Sequence, residues 1–302
     1  MIITPAALAA AFVGFKKHFQ DGQTSVEPMY LKVASHVPSS TASNTYAWLG
    51  KVPGMREWLG DRQLNNLAAH GYSIINKDWE STISVGRNEI EDDQLGIYAP
   101  LMKELGHAAK LHPDQMVYPL LKSGFTDLCY DGQPFFDTEH PVNATADGTG
   151  AVTATSNMVE DAAYTGEAWY LMDASRAIKP IIFQQRKAPK FEQMTDSKDE
   201  KVFMSKEFRF GVDCRDNVGF AFWQMAYGAK AALTYDALWA AYTAMRSLTA
   251  DGGAKLGIRP TILVVPVSLE RAARRVIDRE KLDNGESNEL YKKFEIVVPD
   301  YL

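Results

Sequence analysis

Leu8, Phe12, Phe15 and Phe19 recur at helical spacing behind Thr4–Pro5, a capping residue followed by a proline suited to a first turn, and Asp21–Gly22 supplies a stop. This predicts an N-terminal helix with one bulky apolar face. Each such side chain contributes roughly 1.5–3 kcal/mol when buried, so the helix must dock on its own chain or on a neighbour. From Ser35 to Tyr46 the composition shifts to Ser, Thr, Asn and Pro, predicting an extended linker. Between Tyr46 and Asp93, Trp48, Trp58 and Trp79 are interleaved with glycines at 50, 54, 60, 71 and 86. The runs Tyr72 to Ile75 and Thr82 to Val85 read there as short strands of a β-rich excursion.

From Asp93 to Lys122 the apolar set Leu95, Tyr98, Met102, Leu105, Ala109, Met116 and Leu120 keeps helical spacing, so one long helix is expected, kinked or split at His112–Pro113. Residues 143–157 lack any period and read as a mobile surface loop. Strand-like runs follow at Trp169–Met172, Ile178–Gln184, Val202–Phe210 and Val218–Tyr227, with the polar Thr195–Glu200 as a separator, and predict a mixed sheet. Thr234 can cap a helix carrying Leu238, Ala241, Met245 and Leu248, and Thr261–Val265 reads as a buried strand. Ser268 can cap a second helix carrying Leu269, Ala273, Val276 and Ile277, and Phe294–Val298 closes the chain as a strand. This α-β-α-β order forms a compact α/β unit.

Composition narrows the function. A chain of 302 residues with 46% hydrophobic content can bury a sizeable core in one large or two smaller domains. The net charge of −6 and the lack of a Lys/Arg run argue against gripping a phosphate backbone. Cys129 and Cys214 lie far apart without a C-x-x-C pair, which fits a reducing cytoplasm better than a disulfide or zinc framework. The apolar run Pro5–Phe15 is too short to span a bilayer and has no basic segment before it, so neither a signal peptide nor an anchor is expected.

Common nucleophile, zinc and phosphate-loop motifs are missing, and Gly148–Thr149–Gly150 is too short for a dinucleotide fingerprint, so neither a cofactor nor catalysis is expected. The best catalytic candidate is Asp131, Asp137, Glu139 and His140, oxygens and an imidazole that could ligate a divalent metal in an intracellular hydrolase. The competing reading is a turn, because Asp131–Gly132 and Gln133–Pro134 are turn dipeptides whose neighbouring acids cap backbone N–H groups. Glu91–Asp92–Asp93 reads as N-terminal capping of the long helix before it reads as a cation site. Arg56, Glu57, Asp61 and Arg62 around Trp58 are either a solvated loop or a subunit contact, since aromatic and Arg clusters are what interface cores favour.

Several stretches together carry a resemblance. They are Leu120–Val142, which contains Tyr130-Asp131-Gly132-Gln133-Pro134-Phe135-Phe136-Asp137 and ends Glu139-His140-Pro141-Val142; Trp58-Leu59-Gly60-Asp61-Arg62; Ile90-Glu91-Asp92-Asp93; Arg259–Pro266; and the closing Val298-Pro299-Asp300-Tyr301-Leu302. In this order they are similar to the Mu-like phage major head subunit family, across essentially the whole chain.

The resemblance implies an α+β fold of the HK97 capsid type. It would comprise an N-terminal arm (1–43), an extended loop (44–93), a spine helix and connector (94–150), a β-rich peripheral region (151–232) and an axial α/β unit (233–302). It further implies self-assembly as pentamers and hexamers into an icosahedral shell around double-stranded DNA, in the host bacterial cytoplasm, with scaffold, portal and decoration proteins as partners and no membrane. Phe12, Phe15, Phe19, Trp48, Trp58, Arg62 and Trp79 are then the expected subunit-interface residues, and Lys77 a conceivable cross-link donor. A shell protein of a non-viral nanocompartment is the other self-assembling reading.

Overall fold

The computed structural model describes residues 5–46, 49, 71–92, 96–145, 150–196, 198–282 and 284–302. Helix α1 (Pro5–Thr24) buries Phe12, Phe15 and Phe19 on one face. It runs through Asp21–Gly22 and ends at Thr24, whose hydroxyl bonds back to the Gln20 and Asp21 carbonyls. Gly22 is a contact point instead of a stop. A Cβ there would lie 2.0 Å from the Lys103 carbonyl oxygen, and a Cβ at Gly106 would lie 2.0 Å from the Phe19 carbonyl oxygen. The two glycines let α1 pack backbone to backbone against α4 (Tyr98–Ser123).

At 26 residues α4 is about 39 Å long. The expected split at His112–Pro113 does not occur, because the helix continues through both Pro113 and Pro119. Each proline removes a backbone bond at a cost of about 3 kcal/mol. Burial of Met102, Leu105, Val117, Tyr118 and Leu121 along the helix offsets that cost. Asp114 of α4 accepts the Met29 and Tyr30 backbone N–H groups at 2.9 and 2.7 Å, fixing the start of the single-turn helix α2 (Tyr30–Val33).

The expected linker from Ser35 is structured. It holds β1 (Ala34–Pro38) and β2 (Ser43–Thr45), the latter paired with β3 (Ser73–Ile75). The polar side chains that disguised it bond one another: Asn44 Oδ1 accepts from Ser39 at 2.9 Å, and Asn76 Nδ2 donates to Ser39 Oγ at 3.0 Å. β4 (Lys77–Gly86) is longer than its apolar run, and the short helix α3 (Arg87–Asp92) follows. Glu91 and Asp92 therefore end α3, and the first turn of α4 holds no acidic residue, so the capping expectation is corrected; Asp93 lies outside the described residues.

Part of the supposed loop at 143–157 pairs as a hairpin of β5 (His140–Asn143) and β6 (Val152–Thr155). Next come β7 (Met158–Glu160), β8 (Trp169–Met172) and β9 (Ile181–Met194). β9 continues past its apolar start through Pro189, where the register against β10 (Glu207–Phe220) slips, a bulge that accommodates a residue with no N–H. The run Val202–Phe210 is not one strand. Helix α5 (Glu200–Ser205) turns the chain and β10 starts only at Glu207, yet Val202, Phe208 and Phe210 all reach one apolar cluster.

The chain closes with β11 (Ala226–Lys230), α6 (Tyr235–Ser247), β12 (Ile262–Val264), α7 (Val267–Ile277) and β13 (Glu295–Val297), the expected α-β-α-β order. Thr234 caps α6 through the Ala237 N–H at 3.1 Å. Ser268 caps nothing, since Pro266 precedes α7 and the Ser268 hydroxyl donates to Glu167 at 2.6 Å.

Two larger sheets organise these elements, and both are mixed as expected. The four-stranded sheet has the order β1-β9-β10-β4, with β1 parallel to β9 and the rest antiparallel. Along β10, Phe208, Phe210, Val212, Cys214 and Asp216 alternate inward. The five-stranded sheet has the order β13-β12-β8-β11-β7 and centres the main core, with Trp169 to Met172 fully enclosed.

Candidate assembly surfaces

The three phenylalanines expected at a subunit interface have intramolecular partners. Phe12 meets Phe208 edge-on at 5.2 Å, Phe15 meets Phe210 at 5.3 Å and Phe19 meets Phe191 at 5.1 Å. The apolar face of α1 is thus packed against its own four-stranded sheet in this conformation. Trp48, Trp58 and Arg62 lie outside the described residues. Trp79 is 37% exposed on β4, an edge strand, with its ring 5.0 Å from that of His112 and its Nε1 donating to the Asp216 carbonyl at 3.4 Å. Lys77, exposed, begins the same edge strand. An edge strand leaves a row of backbone groups open to another chain.

The catalytic candidates do not converge. Asp137 accepts the Glu139 backbone N–H at 2.9 Å in a local turn, and the Glu139 side chain faces solvent. Asp131 and His140 do meet, His140 Nδ1 lying 2.7 Å from Asp131 Oδ2. Around them is a closed network. The Asn157 amide donates to the carbonyls of Phe135, Trp223 and Ala226, which orients its Oδ1 to accept from Asp137 N at 2.9 Å and to face His140 Nε2 at 3.2 Å. Asp131 Oδ1 accepts from the Cys129 thiol and the Gln133 N–H at 3.0 and 3.1 Å. The enclosed His140 ring stacks on Trp223 at 4.0 Å. Burial alone would raise the Asp131 carboxyl, but hydrogen bonds from His140 and Cys129 outweigh it and hold the group below the usual carboxylate range.

Among the described residues two triads have metal-ligand composition: Cys129 with Asp131 and His140, and His112 with Cys214 and Asp216, the potential ligand atoms of each within 4.8 Å of one another. Burial pushes both thiols up, Cys214 to about 12, with a nearby aspartate adding to the effect. Each aspartate already serves its histidine, His112 Nε2 lying 3.2 Å from Asp216 Oδ1, so both triads act as clamps between elements. The first ties the turn at 128–134 to the main core, and the second ties α4 to β10.

A different surface went unnoticed in the sequence. At the turn between β9 and β10, Phe203 and Met204 of α5 are 77% and 73% exposed, and Met194 at the end of β9 is 43% exposed. The available signal was a Val-Phe-Met triplet inside the charged stretch Asp196–Arg209, too many apolar residues for a turn with nothing to cover. No described helix is long and apolar enough to cross a membrane.

A molecule whose buried ionisable groups serve as braces, and which leaves bulky apolar residues at an exposed apex, is suited to packing against other proteins. The family described as Mu-like prophage major head subunit gpT matches residues 8–302. The chain belongs to that family. It is 49% identical over 305 residues to the major capsid protein of Escherichia phage Mu, covering all of both chains. It is also 49% identical over 306 residues to the FluMu prophage major head subunit of Haemophilus influenzae, covering 99% of both.

Solved relatives carry the same fold. A chain of the bacteriophage JBD30 procapsid superposes with a TM-score of 0.88 at 49% identity, over 99% of this chain and all of the other. One from the JBD30 capsid decorated with minor capsid protein trimers superposes at 0.77 and 36%, covering both chains fully. The α+β architecture is therefore an HK97-type capsid fold, and the chain is a structural capsid protein, not an enzyme.

Proposed function

We propose that copies of this chain assemble as pentamers and hexamers into a closed icosahedral shell that encloses double-stranded DNA. The observation that carries the reading is the likeness, over essentially all of the chain, to subunits of a phage procapsid and capsid. An acidic balance of −6 suits a container that holds DNA without gripping it.

In this reading residues 1–43 form the arm, 44–93 the extended loop, 94–150 the spine helix and its connector, 151–232 the peripheral region and 233–302 the axial unit. Trp48, Trp58 and Arg62 in the extended loop, with Trp79 on the exposed edge of β4, contact neighbouring subunits. Assembly takes place in the host bacterial cytoplasm with a scaffold and a portal, and the decorated JBD30 capsid favours a minor capsid protein as a further partner. Light-scattering mass of the purified chain, alone and co-expressed with the candidate scaffold, tests it. Species of pentamer or hexamer mass and above are expected, and a monomer in every condition would refute it.

A further inference from the structure

We propose that the apex formed by Phe203 and Met204 is a contact between subunits, occupied in the shell by a second copy of this chain; this rests on the assembly reading above. The apex is built, not loose. Val202 points inward to Phe12, Val85, Ile90, Met102, Phe208 and Phe210, anchoring α5, while the next two residues point out. Phe203 N donates to the Asp199 carbonyl at 2.9 Å, and Asp199 Oδ2 accepts the Asp196 N–H at 3.0 Å. Lys206 closes the turn in the left-handed region at φ 52°, its N–H reaching the Val202 carbonyl at 3.2 Å and its carbonyl accepting the Arg87 N–H at 2.7 Å. Strands on both sides and the start of α3 therefore hold the two side chains out in water.

Size and setting identify the occupant. Fully exposed, a residue of this bulk presents about 200 Å², so at 77% and 73% exposure the pair leaves roughly 300 Å² of mainly apolar surface. A stable two-body interface needs about 800 Å² from each partner. Alone the apex would hold neither a dimer nor a separate protein. A shell subunit touches several neighbours at once, so small contacts repeated on every copy act together at high effective concentration. The surround is polar, with the Glu207–Arg209 ion pair at 3.6 Å beside the turn, as at the rim of a protein interface.

The full-length chain is tested by electron microscopy and light-scattering mass, comparing wild type with the Phe203→Ser/Met204→Ser double variant and the apolar control Phe203→Leu/Met204→Leu. Expected are shells from wild type and control, and at least a tenfold lower yield from the serine variant with an unchanged circular dichroism spectrum. Equal shell yields from all three would overturn the contact and leave the assembly reading standing, whereas wild type that stays monomeric both alone and co-expressed with the candidate scaffold overturns both. Should the serine variant misfold, wild type alone decides. Met204 is expected to be oxidised by dilute peroxide at least tenfold more slowly in shells than in free subunits, by mass spectrometry, and equal rates would overturn the proposal.

Discussion

Replacing Gly106 by alanine tests whether α1 truly lies against α4. The new Cβ would sit 2.0 Å from the Phe19 carbonyl oxygen, 2.9 Å from the carbonyl carbon and 3.1 Å from Cα, all backbone atoms that no rotamer change can move. Ordinary contact lies near 3.5 Å, so α1 must retreat by about 1.5 Å, enough to forfeit half or more of the dispersion energy at each contact it loosens. That retreat draws Phe12, Phe15 and Phe19 away from Phe208, Phe210 and Phe191.

Losing roughly a third of the burial of three rings costs about 2 kcal/mol, and residual overpacking about 1–2 more. Alanine's better helix propensity returns about 1. A net loss of about 2–3 kcal/mol is expected in urea unfolding of unassembled subunits followed by circular dichroism. Gly14→Ala is the control, because its Cβ meets nothing within 4 Å in the same helix α1, and it is expected to stabilise by about 0.5–1 kcal/mol. A Gly106→Ala subunit as stable as wild type would refute the packing argument.

Other expected outcomes concern the buried polar groups and the loop aromatics. Asp131→Asn removes a carboxylate that serves His140, Cys129 and Gln133, and about 3 kcal/mol of stability should go with it in the same unfolding assay at neutral pH. The Asp131 carboxyl is held below its ordinary value in the folded chain, so its contribution is fully present above about pH 4 and disappears as pH falls through the depressed value. An acid titration of stability should accordingly be shallower in Asp131→Asn than in wild type. The Tyr118 hydroxyl is enclosed with no hydrogen-bond partner among the described residues, so Tyr118→Phe should leave stability unchanged or raise it by about 1 kcal/mol, measured by thermal unfolding. Trp58→Ala or Arg62→Ala should leave a subunit folded by circular dichroism but lower shell yield by electron microscopy, and full yield would remove those residues from the interface.

What the sequence disclosed followed from periodicity. The face of α1, the enclosed strand Trp169–Met172 and the Thr234-capped helix all advertise a single period or a single cap, and each stands where it was read. The misreadings have a common physical cause, tertiary contacts overriding local signals. Pro113 stays helical because burial on both sides offsets its lost bond, and Gly22 reads as a stop only until Lys103 is seen against it. Val202–Phe210 has a strand's composition, but one cluster receives residues from both a helix and a strand. In the segment Leu120–Val142, the acids and the histidine that suggested metal chemistry are spread among turns and a clamp, because Asn157 and Trp223, remote in sequence, complete the network around His140. Phe203 and Met204 escaped notice because nothing local separates an apolar residue that faces the core from its neighbour that faces out.

Electron microscopy of the purified full-length chain, alone and with candidate scaffold, tests the central claim most directly. Closed icosahedral particles whose subunit density accommodates α4 and both sheets are the expected result, and a monodisperse monomer or dimer under every condition would contradict it.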